Sequence, residues 1–162
     1  MIRGGTSILT LVRALGGGLV AGVLFAFSAF VMKGLSRIPA PQGIAAMQSI
    51  NVAAVSPLFM VALFGTAVSC TALLVVSLAH LRYPGAAYQI VGSVCYLAAI
   101  ALTIFYHVPL NDSLATLDPT SVEATRSWTT YVDSWTTWNH VRTIEAFAAA
   151  VILTVVSGKT AR

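Results

Sequence analysis

Residues 135–156 read WTTWNHVRTIEAFAAAVILTVV, and whether this stretch crosses a membrane decides the fold. Its apolar part, 144–156, is shorter than the about 20 residues that a helix needs to span a bilayer. It becomes long enough if the helix begins near Trp135, which draws a histidine and an arginine to the threshold of the hydrocarbon. Three further apolar runs, 8–32, 55–79 and 86–108, satisfy the length without help. The expected fold is therefore all-α: an integral membrane four-helix bundle in one domain, with helices near 6–33, 55–80, 86–108 and 121–157. The fourth helix would continue outside the membrane at its N-terminal end.

Composition agrees. The chain has 162 residues, of which 57% are hydrophobic and only 9% charged, and its mean hydropathy is +0.85. Soluble domains carry about 25% charged residues, so a water-soluble monomer could not cover its surface with so few. The first run is longer than a signal-peptide core and lacks an evident small-residue cleavage site, so it reads as a retained helix.

The net charge is +4. With four crossings, both termini and the 81–85 turn share one side, which holds Arg3, Arg82, Lys159 and Arg162 and no acid. The other side holds Lys33, Arg37 and Arg126 with Asp112, Asp118, Glu123 and Asp133. The positive-inside rule places both termini in the cytoplasm, as in a bacterial plasma membrane protein. The basic residues are scattered rather than clustered beside aromatics, which excludes a nucleic-acid surface. Cys70 and Cys95 have no ligand spacing and read as packing residues.

Along the chain, Gly18 and Gly22 form a small-xxx-small pair that marks a packing face on helix 1. Pro39 and Pro41 favour an extended entry to a short amphipathic helix over 42–51, with Ile44 and Met47 turned towards the membrane. Pro57 suits the first turn of helix 2, and Pro109 ends helix 3. Trp128 and Tyr131 fit an interfacial aromatic belt.

Polar residues inside such a chain are the candidates for function. On helix 3, Gln89, Tyr96, Thr103 and His107 form one stripe, readable as a satisfied polar seam or as the wall of a cavity. Asn51, His107, Asn111, Asn139, His140 and Arg142 all fall at the outer ends of the helices, with Glu145 about a turn deeper. His140 and Arg142 are about 200° apart around an ideal helix. Arg142 and Glu145 have the i, i+3 spacing of an ion pair. His107, His140 and Asp112 could be assembled into a metal site, but no HxxH, HExxH or ExxH spacing favours it. No nucleotide-binding, haem or GxSxG signature is present.

The blocks AGVLFAFSAFVMKGL (21–35), QGIAAMQSIN (42–51), PLF (57–59), VPLND (108–112) and WTTWNHVRT (135–143) together resemble the anthrone oxygenase-like family of small four-helix membrane proteins. The resemblance covers about residues 16–150. It implies oxidation of a polyketide anthrone to an anthraquinone by O₂, without flavin or haem. Positions that match the family pattern are Asn51, Pro57, Pro109, Asn111, Trp138, His140 and Arg142; the chain departs from it at His107, where the family often has asparagine.

If that activity transfers, His140 would remove the acidic methylene proton. Asn111 or Arg142 would stabilise the oxyanion. Trp138 would stack on the flat ring, with His107, Asn51, Tyr96 and Thr103 lining the substrate site. O₂ is then a co-substrate and no organic cofactor or metal is needed. The competing class is a non-catalytic accessory subunit or small-molecule-binding component of a larger membrane complex, or of a homo-oligomer. An enzyme calls for an aromatic-lined cavity open to the outer leaflet, and a subunit for a filled interior. A channel or transporter fits less well, since no chain of carboxylates crosses the bilayer.

Overall fold

A computed structural model describes the backbone of residues 2–160 except Tyr83, and the side chains of residue 13 and residues 15–155 apart from Tyr83. Arg3, Lys159 and Arg162, on which the expected orientation leans, lie outside the described side chains. Every regular element among the described residues is helical. They run α1 (Ile2–Ala26), a π-turn (Phe27–Val31), α2 (Met32–Leu35), α3 (Ala40–Ala54), α4 (Pro57–Ala79), α5 (Ala86–Leu102), a second π-turn (Thr103–His107), α6 (Val108–Ala115) and α7 (Val122–Thr160). Because the π-turns join their neighbours without a break, these segments make five continuous helices.

Three of them are long and apolar enough to cross a membrane: Leu15–Leu35, Pro57–Ala79 and Ala86–Ala115. With α7 they form a ring in which α7 packs on α5 and α1, and α4 on the same two. Neighbours run antiparallel. Arg13 of α1 meets Ser69 of α4, Ser77 of α4 meets Gln89 of α5, and Arg142 of α7 meets Thr103 at the end of α5. The bundle core includes Val20, Ala21 and Leu24 of α1, Leu63 and Cys70 of α4, Tyr96 of α5 and Leu153 of α7. Gly92 lets α5 approach α7 closely, because a Cβ there would meet Leu153 at 2.8 Å.

α7 has 39 residues, about 58 Å at the helical rise, nearly twice the hydrocarbon thickness. Ser121 caps its start by accepting from the Ala124 amide at 3.1 Å, the position that leaves an orphan donor in any helix. Its buried positions run Ala124, Trp128, Tyr131, Trp135, Asn139, Arg142, Ala146, Ala149 and Leu153. They are spaced by three or four, so one face stays inside throughout.

The first half of that face belongs to a second core, outside the bundle. Trp128, Tyr131 and Trp135 pack there with Met32, Ile44, Met47 and Leu114, making a cap from α3, α6 and the start of α7. Two expectations are corrected here. Ile44 and Met47 are fully buried against protein, not turned to a membrane. Trp128 and Tyr131 are core residues stacked at 5.6 Å, not an interfacial belt. The apolar stripe of α3 found a protein face because two long connections, 36–56 and 108–121, leave the bundle at the same end.

Pro109 does not end helix 3. The Val108 amide bonds back to Thr103 across the π-turn. Pro109 then falls in the first turn of α6, where a missing N–H costs nothing. The Gly18/Gly22 face is also corrected: a Cβ at either would meet nothing within 4 Å, whereas Gly17 faces Ala150.

Candidate functional site

Both π-turns sit where the bundle meets the cap. A π-turn breaks the regular hydrogen-bond ladder and recurs at functional sites. Here a side chain approaches a carbonyl beside each turn. Asn139 Nδ2 donates to the Leu24 carbonyl at 2.8 Å, and His107 Nδ1 lies 3.3 Å from the Leu102 carbonyl.

Asn139 is fully buried and organises the region. Its amide also donates to Ser28 Oγ at 2.8 Å, while its Oδ1 accepts from Arg142 Nη2 at 2.7 Å. Thr143 spends its hydroxyl proton on the Asn139 carbonyl at 2.7 Å. Ser28 is therefore the donor in the 3.1 Å Ser28–Thr143 contact. Three groups, from α1, the first π-turn and α7, fix one amide orientation.

Arg142 is 5% exposed. Besides Asn139 it donates from Nη1 to Thr103 Oγ1 at 3.1 Å, and its Cζ lies 5.3 Å from the Trp135 ring centroid. Its Nε is buried with no acceptor. The expected ion pair with Glu145 does not form: the guanidinium turns into the bundle, and Glu145 Oε2 is buried without a partner. Burying a cation costs several kcal/mol. Two charge-assisted hydrogen bonds at about 1.5–3 kcal/mol each and the Trp135 face at about 2 kcal/mol offset much of it. The positive charge nevertheless meets no carboxylate.

Above Arg142, towards the cap, Asn111 Oδ1 accepts from the Tyr131 hydroxyl at 2.9 Å and from Trp135 Nε1 at 3.0 Å. Burial pushes the Tyr131 phenol above its usual range, so it remains a protonated donor. Asn51, on α3, has its amide nitrogen buried without an acceptor. Gln48, also on α3, donates to the carbonyls of Leu114 and Leu117 at 2.9 and 3.0 Å, capping α6.

His107 is 1% exposed, with Nε2 3.3 Å from the Trp135 carbonyl and its ring edge-on to Trp135 at 5.2 Å. A neutral imidazole owns one N–H, so only one of its two carbonyl contacts can be a hydrogen bond. The rest of the helix 3 stripe is also partnered inside the bundle. Tyr96 donates to the Leu63 carbonyl at 3.0 Å, Thr103 to the Ala99 carbonyl at 2.8 Å, and Gln89 accepts from Ser77. These contacts are those a satisfied polar seam requires.

The expected candidates thus divide. Asn51, Thr103, His107, Asn111 and Arg142 converge at the bundle–cap junction, and Tyr96 sits deeper in the bundle. Trp138 is 40% exposed and lies beside Tyr106, with ring centroids 5.2 Å apart. His140 is exposed, on the α7 face opposite the buried stripe. It does not join Asn111 and His107, because the two-residue step from Arg142 turns it about 200° away. Ser28 and Tyr131 are the participants that gained their place only in three dimensions. Arg13, within the first apolar run, is a further cation held by a hydroxyl, donating to Ser69 at 2.7 Å. Among the described residues no three His, Cys, Asp or Glu side chains gather as a metal site. A surface hollow lined by Leu78, Ala79, His80, Leu81 and Arg82 lies at the α4–α5 turn, the end of the bundle away from this junction.

A family model described as anthrone oxygenase matches residues 58–152, a span that includes Thr103, His107, Asn111, Asn139 and Arg142. No curated protein and no solved structure matches the chain.

Proposed function

Because the chain belongs to the anthrone oxygenase family, we propose that it is a membrane-embedded oxygenase for a flat, apolar, anthrone-like ring ketone, with O₂ as co-substrate. In this reading α7 is a fourth crossing, both termini face the cytoplasm of a bacterial cell, and the substrate arrives dissolved in the bilayer. The single observation that carries the chemistry is Arg142: a buried guanidinium held by Asn139 and Thr103, without a carboxylate, and with Nε lacking an acceptor.

Such a cation favours a ligand on which negative charge develops. Loss of a methylene proton turns an anthrone into an aromatic enolate, whose charge gathers on the ketone oxygen. Fixed donors in a water-poor setting stabilise that oxyanion without reorganising. The enolate carbon then adds O₂, giving a peroxide that loses water to leave the quinone carbonyl. The balance is R₂CH₂ + O₂ → R₂C=O + H₂O, so no external reductant and no organic cofactor is required. Asn111, with Tyr131 and Trp135 on its oxygen, holds the cap against the bundle in this scheme. His140, facing outward, is open to a substrate only from outside the helix ring.

The test is O₂ uptake by protein in nanodiscs with a panel of anthrones. Turnover by wild type that falls about 10²-fold or more in Arg142→Gln, with the variant still folded, is the expected result. Arg142→Gln at wild-type rate would remove the guanidinium from the chemistry. A second reading, a non-catalytic subunit, draws support from the partnered polar stripe of helix 3; absence of turnover across the panel would favour it.

A further inference from the structure

Four of the chain's five acids, Asp112, Asp118, Glu123 and Asp133, are exposed. Glu145 alone is drawn in, with Oε2 shut from solvent and without a hydrogen-bond partner. A carboxylate so placed is costly, and an ionisable group at such a depth in a membrane helix usually has a partner or a task. The partner at hand would be Arg142, three residues back, but that side chain is committed to Thr103 and Asn139. The acid and the base of one helical turn therefore diverge, about 60° apart around α7.

The side of α7 that Glu145 occupies can be assigned. Residues seven apart share nearly one azimuth, so Trp138 and Ile152 flank Glu145 above and below. Trp138 lies against Tyr106, and a Cβ on Gly92 would come within 3.2 Å of Ile152. Both contacts are with the continuous helix that runs from α5 into the second π-turn. Glu145 thus lies midway along the α5–α7 seam, level with the small residues Ala98 and Ala99. Glu145 is half-buried, so part of its side chain faces whatever surrounds the bundle.

We propose that Glu145 is the base that takes the methylene proton from the ring ketone, an assignment that rests on the oxygenase reading above. In an anthrone the methylene and the ketone occupy opposite ends of one six-membered ring. Glu145 and Arg142 are separated by a rise of about 4.5 Å along α7, so the acid and the cation can address different ends of that ring. A ring entering the seam from the lipid, beside Trp138, can place its methylene at Glu145 with its ketone oxygen towards Arg142. The C–H bond breaks, an O–H bond forms on Glu145, and the electron pair moves to the ketone oxygen. After the carbon adds O₂, Glu145 returns that proton to the peroxide. It then accepts the second methylene hydrogen as the O–O bond breaks and C=O forms, and gives it to the departing hydroxide as water. The carboxylate ends as it began.

Proton transfer can be read without oxygen. Anthrone is incubated anaerobically in D₂O with protein in nanodiscs, and methylene exchange is followed by NMR, with O₂ uptake measured separately on the same preparations. Wild type is expected to accelerate exchange, and Glu145→Gln, which preserves shape, to lose about 10²–10⁴-fold of that acceleration. Glu145→Asp should retain part of it. Gel filtration and tryptophan fluorescence establish that each variant is folded. Wild-type exchange in Glu145→Gln overturns the assignment, as does exchange abolished by His140→Gln but kept in Glu145→Gln. Exchange that depends on Glu145 without O₂ uptake upholds the base and overturns the oxygenase. O₂ uptake with exchange indifferent to Glu145 does the reverse, and loss of both overturns both.

Discussion

Asn139 shows why a polar residue can be the most constrained position on an apolar helix. Its amide donates to Leu24 and Ser28 and accepts from Arg142, so α1 and α7 are joined through one side chain. Asn139→Ala removes all of these contacts and leaves Arg142 with Thr103 as its one hydrogen-bond acceptor. Stranding a buried charge-assisted network costs about 3 kcal/mol. Thermal unfolding in detergent should register a drop of that size, and a change below about 0.5 kcal/mol, the scale of a surface substitution, would mean that the network is not formed. Arg142 itself was legible in the sequence as a charge needing an explanation. The i, i+3 spacing to Glu145 suggested the wrong partner, because spacing along one helix says nothing of what a neighbouring helix offers. Thr103, the first residue of the second π-turn, won the guanidinium.

At the scale of elements, the amphipathic pattern of α3 was readable and its partner was not. Apolar residues three apart predict a buried stripe whether the stripe meets lipid or protein. Met47 is fully buried among the cap residues, so Met47→Ala should destabilise the protein by about 2–5 kcal/mol. Val52→Ala, at 78% exposed on the same helix, should do little. Equal, small effects from both would return α3 to the membrane surface. The π-turns left no trace in the sequence, since they arise where α1 and α5 adjust to the junction rather than from any residue preference. Pro109 looked like a helix end for a related reason: its missing N–H forbids an ordinary α-helical interior, but the π-turn before it moves the break and lets the helix resume.

Over the whole molecule, alternating helices and two long connections put the cap at one end and the α4–α5 turn at the other. With α7 as a fourth crossing, cysteines introduced at Arg82 and Lys159 should react with an impermeant maleimide only after lysis, and one at Thr116 in intact cells. Labelling of Lys159→Cys from the same side as Thr116→Cys would show that α7 does not cross. Composition and hydropathy alone were enough to assign an all-α chain. Length and hydropathy point to helices long and apolar enough to cross a membrane, and the blocks around Asn51, Asn111 and Trp138 carry the family resemblance. The sequence also named most of the polar residues that meet at the junction. Which way they point came from the packing of the helices. It sent His140 outward and Arg142 inward, seated Trp128 and Tyr131 in a core, and left Glu145 unpaired on the α5 seam. Those outcomes depend on how neighbouring helices are rotated and staggered, and that is settled by packing between residues more than a hundred positions apart, such as Leu24 and Asn139.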